Sequence, residues 1–382
     1  METIGCQRVL FDIPPSVAYF NCAYLSPLLL ASSSESTCGI ERKLHPWQIA
    51  PGDFFNETER VRALAAQLIN ARNDDIALTP AASYGIATAA ANLTVSPQQE
   101  IIVLEEQYPS NYYSWVELAG NSGARLRCIP RPANADWTTA ILNAITPATA
   151  IAALPHCHWT DGTLIDLAQI SGALRSTGAA LVIDATQSLG VLPFDVAEID
   201  PDFLVSSGYK WLLGPYSTGL LYVAPRQQHG RPLEHNGLNR AGSEDFSQLV
   251  RYRDDFQVGA RRFDVGERAN FALLPALIAA LEQLLEWDVH AIQRSLSQLT
   301  DDIYKRVTTL GFETPKRALC AGHFLGIRHP NGLPKDATKQ LAMDAVYVSV
   351  RGDSLRVTPH LYNNTDDIDR LIQSLSRLTP GP

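Results

Sequence analysis

The sequence predicts an α/β protein whose large domain contains a mostly parallel seven-stranded sheet, followed by a smaller C-terminal α+β domain. Short apolar strands alternate with amphipathic helical segments between residues 76 and 223. This alternation is typical of parallel strands covered by helices on both faces. The pattern changes after residue 271, where long helices precede shorter strands. A length of 382 residues also suits two domains better than one small core.

The first helix is predicted over residues 57–71, where Val61, Leu64 and Leu68 recur at helical spacing. The seven strands are then predicted at Ile76–Thr79, Glu100–Leu104, Leu126–Pro130, Ala150–Leu154, Ala180–Asp184, Phe203–Ser206 and Gly219–Val223. Helices are predicted between them at Ser83–Leu93, Tyr112–Ala119, Thr138–Ile145 and Asp166–Ser176.

The C-terminal part begins with a long apolar helix from residue 273 and a second helix near Ile292–Val307. Strands follow at His323–Arg328, Val346–Val350 and Leu355–Thr358, and a final helix covers Ile368–Leu378. We therefore divide the chain into an N-terminal segment (1–30), a large domain (31–270) and a small domain (271–382). The N-terminal segment is expected to pack near the small domain or the active site.

The composition limits the classes of partner. A formal charge of −9 without any run of Lys or Arg argues against nucleic acid. The apolar runs are too short to cross a bilayer, and the N-terminus lacks the features of a signal peptide, so a cytoplasmic protein is expected. The six cysteines form no CxxC pair, which predicts reduced thiols rather than a zinc site or disulfides.

The segment between Leu181 and Ala224 contains the residues that best explain a chemical function. Asp184 ends one apolar strand, and Lys210 follows another after a SerGlyTyr turn. A partly desolvated lysine has a lowered pKa and can attack an aldehyde, and a nearby carboxylate can keep a pyridinium nitrogen protonated. Alone, Lys210 would be interpreted as a surface lysine and Asp184 as a strand-end cap.

Other side chains of this segment complete a cofactor site. Ser207 and Tyr209 can donate hydroxyls to a phosphate, and Gln187 can hydrogen-bond a phenolic oxygen. The order AspAlaThrGln and then SerSerGlyTyrLys resembles the class V aminotransferases. This group of fold-type-I pyridoxal 5'-phosphate (PLP) enzymes includes cysteine desulfurases, C–S lyases, kynureninase and isopenicillin-N epimerase. The resemblance implies that Lys210 forms the internal Schiff base and that Asp184 faces the ring nitrogen.

Two further segments match cofactor-binding positions of the family. ThrProAlaAlaSerTyrGly, at 79–85, resembles the turn that binds the phosphate, which implies roles for Ala82 and Ser83. A helix N-terminus offers free N–H groups to an anion. GluGluGlnTyrProSerAsn, at 105–111, resembles the segment whose aromatic residue stacks on the cofactor, here Tyr108. A capped helix start and a core tyrosine are the structural alternatives.

Substrate positions are implied in the same way. Arg356, in LeuArgValThrProHisLeuTyrAsn, matches the arginine that binds an amino-acid carboxylate in a fork that lysine cannot reproduce. Trp159 stands beside the expected phenolic oxygen, where desulfurases have Asn. Asn21 and Tyr24 resemble the N-terminal substrate segment, although packing explains them equally well. For Arg356 the alternative is a salt-bridged strand arginine.

Two more segments raise separate questions. ArgArgPheAspValGlyGlu, at 261–267, resembles a segment that reaches the partner's phosphate in a homodimer with shared active sites, but Glu267 replaces the usual Thr. His156, Cys157 and His158 suggest a metal at first sight. Alternating residues of a strand point to opposite faces and no third ligand is evident, so no metal is predicted.

The resemblance leaves the reaction open. Desulfurases need a cysteine just before the arginine strand, and ValSerValArgGlyAspSerLeuArg contains none, so Cys320 is the nearest preceding thiol. The main hypothesis is an aminotransferase-like enzyme that forms an external aldimine and removes the Cα proton with Lys210. A C–S or other β-lyase, or an epimerase, is the alternative, and a non-catalytic PLP-binding regulator is a hypothesis of another class. A nicotinamide dehydrogenase is disfavoured because no GxGxxG follows a predicted strand.

Overall fold

The computed structural model describes residues 3–378. The first two residues of the predicted N-terminal segment and the last four of the predicted small domain lie outside this range. The described strands are β1 Ala18–Tyr19, β2 Ile76–Thr79, β3 Glu100–Leu104, β4 Arg125–Ile129, β5 Thr149–Pro155, β6 Ala180–Asp184, β7 Phe203–Ser207, β8 Gly219–Val223, β9 Leu325–Ile327, β10 Val346–Tyr347, β11 Ser349–Arg351 and β12 Ser354–Val357.

The helices agree with the predicted alternation and add three that were not predicted as elements, α1, the short α7 and α10. They are α1 Leu30–Arg42, α2 Asp53–Ile69, α3 Ala82–Asn92, α4 Tyr113–Ser122, α5 Trp137–Ala144, α6 Leu167–Thr177, α7 Val196–Ile199, α8 Leu274–Trp287, α9 Val289–Thr309, α10 Ala337–Met343 and α11 Thr365–Leu375. None of the helices between residues 3 and 378 is long and apolar enough to cross a membrane.

The predicted α/β fold with a mostly parallel seven-stranded sheet is confirmed. The strand order is β2-β8-β7-β6-β5-β3-β4. Only β8 runs against the others, because it pairs antiparallel with both β7 and β2. The carboxyl ends of β2, β3, β5, β6 and β7 therefore meet at one edge, where ligands of open α/β sheets bind.

Both faces of the sheet are covered by apolar residues, as the continuous hydrophobic strands predict. Along β3, Ile102 and Leu104 belong to one core cluster, while Ile101 and Val103 belong to the cluster on the opposite face. This split follows from the alternation of side chains along a strand. The large domain is thus a three-layer structure, and its rigid sheet positions the loops at the carboxyl edge.

Helix α1 was not predicted because its sequence, LeuAlaSerSerSerGluSerThrCysGlyIleGluArg, has no apolar stripe. Tertiary packing supplies its stability. Gly39 lies so close to the backbone that an added Cβ would stand 1.8 Å from the carbonyl oxygen of Phe271. A small residue at this point lets the segment before α8 approach the helix. Such a contact leaves no periodic pattern in the sequence of α1.

The C-terminal region has its own apolar core, formed by α9, α10, α11 and the small strands together with Ala18 and Phe20. The N-terminal segment enters this region because β1 pairs in parallel with β10. The predicted strand Val346–Val350 is divided between two sheets, since β10 pairs with β1 and β11 pairs with β12. Buried residues of α8 pack in the large domain's core, so the domain boundary at residue 271 stays a prediction.

Candidate active site

Lys210 lies in a tight turn directly after β7. The Gly214 N–H donates to the Gly208 carbonyl over 2.9 Å, and the Leu213 N–H donates to the Lys210 carbonyl over 3.0 Å. Gly208 is required here, because a Cβ would stand 2.3 Å from the Thr218 hydroxyl oxygen. The sequence SerGlyTyrLys thus folds into a closed turn that presents Lys210 at the carboxyl edge of the sheet.

The Lys210 side chain is only 5% exposed, and its Nζ lies 5.4 Å from the ring centroids of both Tyr108 and Tyr209. Burial lowers the pKa of Lys210 to about 8, and the positive charges of Arg356 and Arg351 act in the same direction. The negative charge of Asp184 opposes the decrease. A lysine with this pKa supplies a useful fraction of neutral, nucleophilic amine near neutral pH.

Asp184 is the last residue of β6 and is 6% exposed. Burial raises its pKa, while hydrogen bonds from Thr186 and the charge of Lys210 lower it. The Thr186 N–H donates to Oδ1 over 3.0 Å, and the Ser207 N–H donates to the Thr186 hydroxyl over 3.2 Å. Thr186, which the sequence reasoning missed, therefore links Asp184 to the Lys210 strand.

Gln187 is fixed between the Lys210 turn and the N-terminal segment. Its side-chain oxygen accepts from the Trp211 indole over 2.9 Å, and its amide nitrogen donates to the Ala23 carbonyl over 3.1 Å. His323 Nε2 donates to the Gln187 backbone carbonyl over 2.7 Å. The second amide hydrogen of Gln187 remains available to an acceptor in the site. We call Asp184, Gln187 and Lys210 the pocket floor.

Ala82 and Ser83 are the first two residues of α3, as expected for a phosphate-binding helix start. Ala81, which precedes them, is extended, and no side chain caps the helix. The first N–H groups of a helix have no intrahelical partner, so this end can receive an anion. Ser83 is exposed and Ala82 is buried, so Ala82 offers only its backbone.

Ser207 and Tyr209 lie at the same edge as the start of α3. Ser207 ends β7 and is 5% exposed. Burial raises the pKa of Tyr209 to about 12, with smaller contributions from Tyr108 and Tyr216. The Tyr209 hydroxyl therefore stays protonated at physiological pH and can donate a hydrogen bond.

Arg356 is 1% exposed and lies on β12. Its Nε and Nη2 donate to the Ser349 hydroxyl over 3.0 and 2.8 Å, and Nη1 donates to the Trp159 carbonyl over 3.1 Å. No carboxylate within residues 3–378 forms an ion pair with it, so the strand salt bridge weighed as an alternative is not seen. Burial lowers the pKa of Arg356, and the charge of Arg351 adds to the effect.

A cavity of about 500 Å³ opens above Lys210 and extends to Arg356. Tyr24 lines this cavity and is 54% exposed, whereas Asn21 is not among the lining residues. Asn21 is buried, and its side-chain oxygen has no hydrogen-bond partner among the described residues. The Ser26 N–H donates to the Tyr209 carbonyl over 3.0 Å, which fixes the N-terminal segment against the Lys210 turn. The lining residues are Ala23, Tyr24, Leu25, Tyr108, Trp159, Tyr209, Lys210, Tyr216, Arg351 and Arg356.

Trp159 forms one wall of the cavity. Its ring lies edge-on to Tyr108 with 5.4 Å between centroids, and its indole N–H donates to the Glu106 carbonyl over 2.6 Å. Arg131 holds the following loop through Thr160 at 2.8 Å and Asp161 at 2.5 Å. The structure therefore brings Tyr108 and Trp159 together above Lys210.

Sequence reasoning missed several residues that shape the cavity. Tyr216 lines it and lies 4.6 Å from Tyr209 between ring centroids, and Ser349 holds the Arg356 guanidinium. The GlyProTyrSer sequence after Lys210 was a usable signal for Tyr216. Ser349 had none, because only the pairing of β11 with β12 places it opposite Arg356. We call Tyr24, Tyr216 and Arg351 the pocket rim.

The remaining sequence candidates lie outside the cavity. His158 is buried and stacks on Trp137, with 5.1 Å between ring centroids, and Cys157 is buried. Across the described part of the chain, no group of three or more His, Cys, Asp or Glu side chains is arranged for a metal ion. Cys320 is buried, and burial raises the pKa of its thiol to about 12. Glu267 is exposed with a φ of 55°.

Known proteins resemble this chain over most of its length. Isopenicillin N epimerase of Streptomyces clavuligerus is 25% identical over 97% of this chain and 97% of its own length. Cysteine desulfurase CsdA of Escherichia coli (strain K12) is 27% identical over 84% of this chain and 82% of its own.

Solved structures show the same fold. The complex between the cystine C–S lyase C-DES and its reaction product cysteine persulfide superposes with a TM-score of 0.85 at 19% identity, covering 96% of this chain and 99% of that one. A family model described as aminotransferase class-V matches residues 48–371. Since that match spans most of the sequence and includes every residue of the pocket floor, the chain belongs to the class-V aminotransferase family.

Proposed function

We propose that this chain is a PLP-dependent enzyme that acts on an amino acid, with aminotransferase-like chemistry as the first candidate. One observation carries the proposal: a buried lysine with a lowered pKa shares a cavity with a buried arginine that has no carboxylate partner among the described residues. The lysine suits an aldehyde cofactor, and the arginine suits the carboxylate of an amino acid.

The residues of the site fit PLP. Asp184 offers a buried carboxylate whose only hydrogen-bond donor among the described residues is Thr186, so it can accept from a protonated ring nitrogen. Gln187 can donate to the phenolic oxygen, and Tyr108 can cover the ring. The uncapped start of α3, with Ala82 and Ser83, suits the phosphate together with Ser207 and Tyr209. When bound, PLP supplies an electron sink for a carbanion at Cα.

The chain's own residues then have separate tasks. Lys210 would hold the cofactor through its amine and, when free, would take the Cα proton of the substrate on Nζ. Asp184 keeps the proton on the ring nitrogen because a buried carboxylate favours a nearby cation. Arg356 binds the substrate carboxylate and thereby orients the Cα–H bond toward Lys210. Trp159 and Tyr108 restrict the access of water from one side.

The fate of the Cα carbanion would decide the reaction type. A proton added at the cofactor carbon would give transamination, expulsion of a β-substituent would give a lyase, and a proton added to the opposite face of Cα would give an epimerase. The epimerase and lyase named among the relatives keep both alternatives open. Persulfide-forming desulfuration is disfavoured, because the turn between β11 and β12 is only Gly352 and Asp353 and the Cys320 thiol is buried. A regulator that binds PLP without turnover remains the hypothesis of another class.

The assembly and location belong to the same proposal. We infer a cytoplasmic homodimer whose active sites lie near the subunit interface, with the segment 261–267 reaching the partner's phosphate. Glu267 is exposed and has a left-handed backbone, so this end of the segment is accessible to a partner subunit. Size-exclusion chromatography with light scattering tests the dimer directly.

The test of function is cofactor loading. Purified protein incubated with PLP is expected to turn yellow, and borohydride reduction should fix the cofactor on the peptide that contains Lys210. Lys210→Ala should lose the visible band and lower turnover by about 10⁴-fold or more, since both the anchor and the base are removed. Lys339→Ala, at an exposed position of α10, is the matched control.

A wild-type protein that stays colourless after incubation with PLP would refute the proposal. The reaction type follows from the products of an amino-acid panel. Keto acid with pyridoxamine phosphate indicates transamination, whereas pyruvate with ammonia from β-substituted substrates indicates a lyase. Inversion at Cα without either product indicates an epimerase, and PLP binding without any product indicates a regulator.

A further inference from the structure

Arg351 is a second arginine of the cavity without a carboxylate partner. Among residues 3–378, it forms one hydrogen bond, from Nη1 to the Val350 carbonyl, at 2.7 Å. The acidic residue of the same turn is not available, because Asp353 pairs with Arg328 at 2.9 Å. A solvated turn charge would not account for this position, because Arg351 lines the pocket.

The hairpin directs both arginines to the same side. Ser349 on β11 stands opposite Arg356 on β12, and Arg351 lies two residues beyond Ser349. Directly paired residues of antiparallel strands share a face, and so do residues i and i+2 of one strand. Arg351, Ser349 and Arg356 therefore form one polar surface facing the cavity.

The donors of Arg356 are largely committed. Ser349 takes the Nε–H and one Nη2–H, and the Trp159 carbonyl takes one Nη1–H. A guanidinium has five N–H groups. One N–H on each terminal nitrogen therefore remains, which matches the two oxygens of a single carboxylate. A substrate α-carboxylate satisfies Arg356 without help from Arg351.

The charges of the cavity are unbalanced. Lys210, Arg351 and Arg356 all line it, and no Asp or Glu is among its lining residues. Asp184 on the floor offsets one positive charge. Aromatic rings hold the Arg351 guanidinium without neutralising it, since it lies 5.7 Å from the Tyr24 ring and 5.8 Å from the Trp159 ring. A ligand with two negative groups would supply one acidic partner to each of the two arginines.

We propose that Arg351 selects amino acids whose side chain carries a second acidic group, which it binds at the rim while Arg356 binds the α-carboxylate. This inference rests on the proposed function, because it concerns the substrate of the same site. The proposed substrate class is amino acids with two acidic groups, in which the side chain carries either a carboxylate or a phosphate.

The test compares matched substrates on the PLP-loaded enzyme. L-glutamate and L-2-aminoadipate provide side-chain carboxylates, O-phospho-L-serine provides a phosphate, and L-glutamine and L-norleucine are neutral. The rate of the cofactor's absorption change gives kcat/KM for each. Arg351→Gln should lower this value about tenfold to hundredfold for the acidic substrates, as expected for a lost charged hydrogen bond, and should affect the neutral substrates much less.

Two further variants and one ligand complete the design. Arg351→Lys keeps the charge and should retain most of the preference, and Arg377→Gln, at an exposed position after α11, is the control outside the pocket. Glutarate, a diacid that cannot react, should bind the loaded wild-type enzyme in calorimetry and lose affinity in Arg351→Gln. A faster reaction of phosphoserine or of the dicarboxylates identifies which anion fits, and both results support the proposal.

Other outcomes would overturn it. An equal loss for acidic and neutral substrates in Arg351→Gln would mean that Arg351 shares the α-carboxylate with Arg356. A wild-type enzyme that takes glutamine as readily as glutamate would show that the rim does not select charge. Failure of the proposed function is distinguishable from both, because it appears as absent PLP uptake before any amino acid is added.

Discussion

On the pocket floor, Asp184 and Lys210 are 6% and 5% exposed, whereas Tyr24 and Tyr216 on the pocket rim are 54% and 67% exposed. The floor residues stand at the ends of β6 and just after β7, where backbone N–H groups and closed turns hold them. The rim side chains extend from loops and a hairpin. Under the proposed function, the floor carries the chemistry and the rim decides which amino acid enters.

Asp184→Asn tests the floor and should have the largest effect of the following changes. The neutral amide cannot hold a positive charge on the ring nitrogen, so kcat should fall about 10²–10³-fold while KM changes little. Steady-state kinetics on the PLP-loaded variant measures both constants. Asp353→Asn, at an exposed turn, is the control. A variant with nearly normal kcat would contradict the role of Asp184.

Arg356→Lys tests the buried arginine that is proposed to bind the substrate α-carboxylate. Lysine keeps the charge but cannot donate two parallel hydrogen bonds, so kcat/KM should fall about tenfold to hundredfold, mainly through a higher KM. The measurement is the substrate concentration dependence of the initial rate, with Arg328→Lys as the control. A loss confined to kcat would place Arg356 in the chemical step instead of in substrate binding.

The pH dependence of PLP loading measures how strongly the charges of floor and rim are coupled. The shifts expected in its midpoint are the smallest of the predicted effects. Only neutral Lys210 attacks the PLP aldehyde, so the loading rate of the cofactor-free chain should rise with pH to a midpoint of about 8. Asp184→Asn should move the midpoint down, since Asp184 raises the pKa of Lys210. Arg351→Gln should move it up, since Arg351 lowers that pKa. Stopped-flow absorption follows the reaction.

The same pKa has a defined sign in folding. The pKa of Lys210 is below its ordinary value of 10.5 in the folded chain, so the unfolded chain binds more protons between about pH 8 and 10.5. The contribution of Lys210 to the free energy of unfolding therefore grows with pH across this window. In the loading experiment, a midpoint that stays the same in both Asp184→Asn and Arg351→Gln would show that floor and rim are electrostatically independent.

The core of the fold could be predicted because its signals are local. Strands β6 and β8 have the predicted bounds, since continuous apolar runs end at polar or turn-forming residues. Helix α1 could not be predicted, because its stability comes from contacts at Gly39 that its own sequence does not encode as a pattern. The division of Val346–Val350 between two sheets depends on the distant β1 and was equally hidden.

For the candidate site, the sequence by itself indicated the family, which the family model confirms, and it predicted the roles of Asp184, Gln187, Lys210 and Arg356, because the chemistry demands particular residue types in a particular order. Only the tertiary structure decided what surrounds them. It brought Tyr24, Trp159 and Arg351 from three distant segments around one cavity, and it placed Ser349 against Arg356. The physical reason is that strand order and hairpin register bring residues far apart in sequence into contact, and neither is encoded in a local pattern.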